Sequence, residues 1–306
     1  MKNYTGQVYE IIKELVEDYE EKGVIKYLCE IAGVSRSGYY NHFSEVAINN
    51  RNIKDTQDEK DRDLILSAFN RHGYKKGAKS IKMTLENEDN IIFNLKKIRR
   101  IMKKYDIICP IRKAKPYKQM LKATKEHRTA PNLLNRKFKQ DIPGKVLLTD
   151  ITYMYYGYYK RAYLSTIKDA STNEILAYRL SLNLYLDFVL NTMWDLKKQK
   201  EVPIPDDAFV HSDQGAHYTS PTFQALLNEL ELGQSMSRKG NCWDNAPQES
   251  FFGHMKDDID LSACRTFEEL EFEIKRYIEY YNNYRYQWDL KKMSPVQHRN
   301  HLLQTS

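Results

Sequence analysis

The chain has 306 residues, room for one large domain and one or two small ones, and its 48 Lys and Arg against 41 Asp and Glu give a net charge of +7. Its four cysteines (Cys29, Cys109, Cys242, Cys264) lie far apart and form no C-x-x-C pair, which argues against a zinc module and against a secreted disulfide framework. Residues 1–21 are charged and amphipathic rather than signal-like, and no apolar run approaches the ~20 residues that span a bilayer, so a soluble, cytoplasmic and nucleoid-associated protein without a membrane partner is expected.

The first 45 residues read as short helices. Val8, Ile11, Ile12, Leu15 and Val16 recur at helical spacing, Ile25, Leu28, Cys29 and Ile31 form a second set, and Ser35 is placed to cap a third helix. Two short helices around a Gly-containing turn predict a helix-turn-helix-like segment over 1–45, with a small helical interaction module as the alternative. Residues 1–63 carry 9 basic and 13 acidic residues, which leaves DNA reading by this segment open.

Residues 46–62 are polar and charged, a linker or an exposed helix, and a second helical unit is predicted from Asp63 to Tyr105. The positive charge is concentrated from Arg71 to Arg128, where 18 Lys and Arg face 5 Asp and Glu, a local +13 that leaves the rest of the chain at −6. Such a field suits a polyanion, because counterion release drives binding to phosphate backbones. Within it, Ile91 to Lys104 predicts an amphipathic helix. Its apolar residues include Ile98, Ile101 and Met102, and its wet face is basic: Lys96, Lys97, Arg99, Arg100, Lys103 and Lys104. A solvated surface helix is the alternative, disfavoured because the basic face lacks acidic partners in the helix. Residues 46–112 are therefore expected to form a basic helical DNA-binding domain and 113–140 a basic linker.

From Pro143 the pattern changes. Strands are predicted over Lys145–Tyr156, Lys160–Ala170 and Glu174–Ser181, then a helix over Leu184–Lys198, a strand over Ala208–His211 and a helix over Pro221–Leu232. A strand over Gln234–Ser237 precedes a loop and helices over Pro247–Asp260 and Phe267–Asn283. A three-strand meander followed by helix, strand, helix, strand, helix is the order of an α/β RNase H-like (integrase) catalytic domain with C-terminal helices, expected over 141–302 and preceded by small all-α helix-turn-helix-like domains.

Three acidic residues stand out by placement. Asp150 lies inside the first apolar strand, where a carboxylate is costly unless paired or bound to a cation. Asp213 follows the short fourth strand directly, and strand C-termini are where α/β sheets place their sites. Glu249 opens the late helix, with Pro247 suited to its first turn and Asn245 able to cap it. Between Asp213 and Glu249 lie 35 residues, and 62 separate Asp150 from Asp213. Phosphodiester chemistry needs such a set: two divalent ions ~3.5–4 Å apart, held by carboxylates, activate a water or a 3′-hydroxyl and stabilise the leaving oxygen. Mg²⁺, with Mn²⁺ able to substitute, matches these hard oxygen donors. Lys256, two helical turns after Glu249, shares its face and can reach the phosphate of a DNA end. The Gly- and polar-rich loop Arg238–Asp244 is a further DNA contact, led by Arg238 and Lys239, with a plain solvated loop as the alternative. His211, His217 and His254 read as supporting residues, His211 being the one expected to line the site, and the Tyr277–Tyr286 stretch as packing rather than a nucleophile.

The strings Thr149-Asp-Ile-Thr-Tyr153, His211-Ser-Asp-Gln-Gly215, Ser235-Met-Ser-Arg-Lys-Gly240, Asp244-Asn-Ala246, Glu249-Ser-Phe-Phe252 with Lys256, and Tyr280-Tyr-Asn282 with Ser294-Pro-Val296 carry a resemblance. So do Ser35-Arg-Ser-Gly-Tyr-Tyr40, His72-Gly-Tyr74 and Ile98-Arg-Arg-Ile-Met102 upstream. Over most of its length the chain resembles the orfB products of the IS-three family of bacterial insertion sequences, within the retroviral-integrase-like superfamily. The resemblance implies a metal triad of Asp150, Asp213 and Glu249, DNA-end contact by Lys256, and donor cleavage followed by strand transfer without a covalent enzyme intermediate. It implies double-stranded DNA (element ends and target) as partner, a homo-oligomer in the active complex, and fusion to or binding of an upstream-frame product, with this chain as the downstream part. Leu147 and Gln248 depart from the family pattern, where Trp and a small or Met residue are commoner, and altered packing is expected there. A non-catalytic DNA-binding regulator and a plain RNase H-like nuclease are the rival readings.

Overall fold

A computed structural model of the chain describes residues 2–18, 24–73, 76–109, 130–134, 141–238 and 245–305. The chain divides into two compact units, residues 1–67 with 100–107, and residues 68–99 with 108–306.

In the first unit, helices α1 (Lys2–Asp18), α2 (Val24–Ile31) and α3 (Arg36–His42) close a small core around Tyr9, Ile12, Cys29 and Tyr39. Ser35 caps α3, its hydroxyl accepting from the Gly38 amide at 3.0 Å, as the sequence predicts. The polar stretch after residue 45 is helix rather than linker, continuous in α4 (Glu45–Asn70). Helix α5 (Ala78–Glu88), which belongs to the second unit, follows. Then α6 (Leu95–Lys104) starts four residues later than the periodicity suggests, because Asn94 accepts from the Lys96 amide and stops the helix from extending backward.

In the second unit, β1 (Val146–Tyr156), β2 (Lys160–Asp169) and β3 (Ile175–Ser181) form the antiparallel meander. β4 (Phe209–Ser212) and β5 (Gly233–Met236) add in parallel on the other side of β1, so the sheet order is β3-β2-β1-β4-β5. Helices α7 (Leu186–Lys198) and α8 (Pro221–Glu229) cover one face, packing Val189, Met193, Phe223 and Leu227 onto Leu147, Ile167 and Val210. Helices α9 (Ala246–Asp258) and α10 (Phe267–Asn283) cover the other, setting Phe251, Met255, Ile274 and Tyr277 on Met154, Ala162 and Leu164. Each such buried side chain contributes roughly 1.5–3 kcal/mol. The two-residue alternation of β1 sends Leu147 and Ile151 to the first layer and Met154 and Tyr156 to the second. Helix α11 (Pro295–Thr305) ends the chain's described part.

Of the predicted basic linker, residues 130–134 are described and are packed against the sheet: Leu134 is buried with Val146 and Leu148, and the Met236 amide donates to the Pro131 carbonyl beside β5. The other linker residues, 113–129 and 135–140, lie outside the described residues.

Candidate active site

The site is assembled by strand register. β1 and β4 run parallel with Leu148 opposite His211, so two residues further along Asp150 comes opposite Asp213, the first residue beyond β4. Neighbouring strands lie ~4.8 Å apart, and residues two apart share a face. Asp150 and Asp213 are therefore lateral neighbours on one sheet face, both half-buried. On its other side Asp150 pairs with Thr166 of β2.

Local geometry fixes each carboxylate. Asp150 Oδ1 accepts from the Ile151 amide at 2.8 Å, and Asp213 Oδ1 from the Gly215 amide at 2.8 Å. A Cβ at Gly215 would lie 2.7 Å from that Oδ1, so a larger residue there would make the carboxylate or the loop shift. Tyr218 is buried with its hydroxyl 3.4 Å from Thr149 Oγ1. Its burial first, then the negative field of Asp150 and of Asp213, hold the phenol protonated well above its ordinary range.

Glu249 is exposed in the opening turn of α9, beyond Pro247. Asn245 stands at the N-cap but makes no side-chain cap; its amide points to the Thr149 carbonyl at 3.5 Å. The fully buried Gln248 donates Nε2 to Thr166 Oγ1 at 2.6 Å and to the Thr166 carbonyl at 3.2 Å. Lys168 Nζ, also buried, donates to the Pro247 carbonyl at 2.9 Å. The start of α9 is thus tied to the strand that pairs with Asp150. Two turns on, Lys256 Nζ donates to Thr152 Oγ1 at 2.6 Å, on the same β1 face as Asp150 and about 7 Å along the strand from it.

Among the described residues no three His, Cys, Asp or Glu side chains converge into a group that could hold a metal ion. The register sets Asp150 level with Asp213, and Glu249 stands at the start of α9. The donors are all carboxylate oxygens, which fits a hard divalent cation. His211 is not a lining residue: it is fully buried, its Nδ1 2.8 Å from Ser235 Oγ and its Nε2 3.3 Å from Ser237 Oγ, because it points from β4 toward its neighbour β5. His217 Nε2 meets the Leu184 carbonyl. Arg238 is exposed, and Lys239 lies outside the described residues. Tyr277, Tyr280 and Tyr281 are buried in the core.

On α6, Lys96, Arg99 and Lys103 are exposed and share one face by their spacing. Arg100 instead forms a two-pronged pair with Asp58 at 2.6 Å on each prong, and Lys104 binds Asp55 and Asp58 at 2.6 and 2.9 Å. The acidic partners that the helix lacks in its own sequence come from α4. Lys97 lies over the Phe93 ring at 4.0 Å. Sequence reasoning missed the ties from Thr166 and Lys168, because β2 mixes polar and apolar residues and nothing in its pattern marks these two.

Two integrase core domain families match residues 140–242 and 249–303, and an HTH-like domain family matches residues 56–115. The chain is 34% identical over 275 residues to the putative transposase InsK for insertion sequence element IS150 of Escherichia coli (strain K12), covering 89% of this chain and 92% of that protein. It is 38% identical over 224 residues to a transposase-like protein of Haemophilus influenzae, covering 72% of this chain and all of that one. Among solved structures, the HTLV-2 integrase catalytic core domain in complex with magnesium aligns with a TM-score of 0.41 and 13% identity, over 52% of this chain and 97% of that one. With relatives of this identity over nearly their whole length and integrase core domain matches, the chain belongs to the IS-three family of insertion-sequence transposases, DDE-type polynucleotidyl transferases that act in DNA transposition.

Proposed function

We propose that this transposase cleaves the 3′ ends of its insertion sequence and joins them to target DNA, using Asp150, Asp213 and Glu249 as ligands for two Mg²⁺ ions, with Mn²⁺ able to substitute. What supports the reading is the parallel register that sets Asp150 beside Asp213, with the Glu249 helix tied to Asp150's neighbour Thr166. When bound, the metal pair supplies Lewis acidity to the attacking and leaving oxygens. Asp150 and Asp213 would contribute carboxylate oxygens from the sheet, and Glu249 would contribute one from the start of α9. Lys256, held over β1 by Thr152, offers its ammonium to the phosphate of the DNA end.

In the first step water attacks the phosphorus and the bond to the 3′ oxygen breaks, leaving a 3′-hydroxyl and a 5′-phosphate. In the second, that 3′-hydroxyl attacks a target phosphodiester and displaces the target's own 3′ oxygen as a hydroxyl. Each step exchanges one P–O bond for another, so no covalent enzyme intermediate is needed. Lys96, Arg99 and Lys103 hold DNA phosphates together with Arg238 and Lys239, while Arg100 is directed to Asp58 and Lys97 to Phe93. Residues 46–112 serve as the DNA-binding segment ahead of the core at 141–302, preceded by the helix-turn-helix-like segment over 1–45. Pairing two element ends calls for at least a dimer, with an upstream-frame product as fused or bound partner, in the cytoplasm at the nucleoid. No helix among the described residues is long and apolar enough to cross a membrane.

The test is incubation of purified chain with labelled duplex carrying the element's end, in Mg²⁺ and in EDTA. Nicked and joined products that require the metal support the reading. A folded, DNA-binding chain that yields neither product, alone or fused to the upstream frame, supports the DNA-binding regulator instead, and nicks without joined products support a plain nuclease.

A further inference from the structure

We propose that Lys168, Gln248 and Thr166 are positioning residues that set where Glu249 stands relative to Asp150; the inference rests on the carboxylate reading above. Thr166 and Lys168 alternate on one face of β2, opposite Asp150 and Leu148 of β1. From that face Thr166 receives both Nε2 hydrogen bonds of Gln248, and Lys168 donates to the carbonyl of Pro247. The two residues that immediately precede Glu249 are therefore each tied to the strand next to Asp150. Two ties at successive positions fix both the height of the helix start above the sheet and its rotation about the helix axis.

The side chains that make these ties are costly ones. Lys168 is buried and forms no ion pair among the described residues, and its surroundings include the Tyr281 hydroxyl, Asp169 and Arg285. Gln248 is fully buried, and its Oε1 has no hydrogen-bond partner among the described residues. A methionine at either position would fill similar volume without burying a polar group. Further along α9, Phe251, Phe252 and Met255 pack by apolar contact, which resists sliding weakly, and the next polar tie to the sheet is Lys256 to Thr152 at 2.6 Å, two turns beyond Glu249. Polar groups kept at this expense, Gln248 immediately before Glu249 and Lys168 on the carbonyl of Pro247, have a geometric role. Misplacing a reacting group by ~1 Å can cost on the order of 10²-fold in rate.

The experiment uses the full chain and the variants Lys168→Met, Gln248→Met, Thr166→Val, Thr166→Ser and Glu249→Gln. Each is measured for thermal unfolding, for affinity to the duplex end in EDTA, for Mn²⁺ affinity by electron paramagnetic resonance, and for strand-transfer kcat and KM. Lys168→Met, Gln248→Met and Thr166→Val should keep wild-type melting and DNA affinity. Their Mn²⁺ affinity should fall several-fold and their kcat by roughly 10–100-fold at unchanged KM. Thr166→Ser, which retains the hydroxyl, should restore both. Wild-type Mn²⁺ affinity and kcat in Lys168→Met, Gln248→Met and Thr166→Val would overturn the proposal, as would losses that simply follow melting temperature or that Thr166→Ser does not restore. Glu249→Gln separates the two levels. If it alone abolishes metal binding and joining, the positioning role fails and the carboxylate reading stands; if it is as active as wild type, the carboxylate reading fails and takes the positioning role with it.

Discussion

Asp213 owes its orientation to an absent side chain. Its Oδ1 accepts the Gly215 amide, and a methyl group at 215 would lie 2.7 Å from that oxygen. The carboxylate has to swing away or the loop has to open, and either movement separates Asp213 from Asp150. Gly215→Ala is expected to lower strand transfer by roughly 10–100-fold with little change in melting temperature, since the loop lies outside the core layers. Kinetics beside thermal unfolding check this: wild-type rates would show that the carboxylate's aim is not set by Gly215, and a large fall in melting temperature would make the loop structural. Asp150 and Asp213 were legible as candidates because a carboxylate inside an apolar strand, or just past one, carries a desolvation cost that calls for a reason. Lys168 and Gln248 were not legible. A lone lysine in a strand reads as solvent-facing, and only the pairing of β2 with β1 turns it under α9.

At the scale of elements, α6 presents two basic faces with different partners. Arg100 and Lys104 pair with Asp58, which is held well below the usual carboxylate range by the Arg100 hydrogen bonds, with Lys104 adding to the effect against the opposing cost of burial. Arg100→Ala should destabilise the protein by about 1–3 kcal/mol, because Asp58 is buried and keeps only Lys104 as a close partner. A carboxyl whose folded-state pKa is depressed stabilises above its unfolded value and loses that contribution as the pH falls. The difference between wild type and Arg100→Ala should therefore be full at neutral pH and shrink below about pH 4. Lys96, Arg99 and Lys103 are exposed and should act differently. Replacing all three with Ala should leave melting unchanged and reduce the magnitude of the salt-dependence slope of DNA affinity by about 2–3, near 0.9 per phosphate contact. An unchanged slope would remove α6 from the DNA interface. The sequence held the charge of this helix but not its sorting, because Asp55 and Asp58 lie 42–49 residues earlier and meet it only in the fold.

At the scale of the whole molecule, the order of strands and helices was readable because the longer strands β1, β2 and β3 carry alternating or largely apolar patterning between turn residues, and element ends fell within a few residues of their observed places. What ties α11 to the sheet was not readable. Arg299 reaches back 125 residues to the buried Glu174 at 2.7 Å and also meets Glu201 at 3.2 Å. Burial pushes the Glu174 carboxyl up to about 7, outweighing the pull of Arg299 in the other direction. A carboxyl raised in the folded state contributes least at high pH, so stability from this site should decline as the pH rises from about 4.5 to beyond 7. Glu174→Gln, which cannot ionise, should melt with a flatter pH dependence across that window; an identical profile would show that Glu174 does not titrate there. The proposed chemistry requires three carboxylates from three elements to act as one centre. The most direct measurement is strand transfer on labelled element-end duplex by wild type, Asp150→Asn, Asp213→Asn and Glu249→Gln, each first shown to fold and to bind the duplex. The account predicts that every single variant loses joining by at least about 10²-fold, with Mn²⁺ failing to restore it. Any one of the three joining ends at the wild-type rate would remove that residue from the centre and contradict the account.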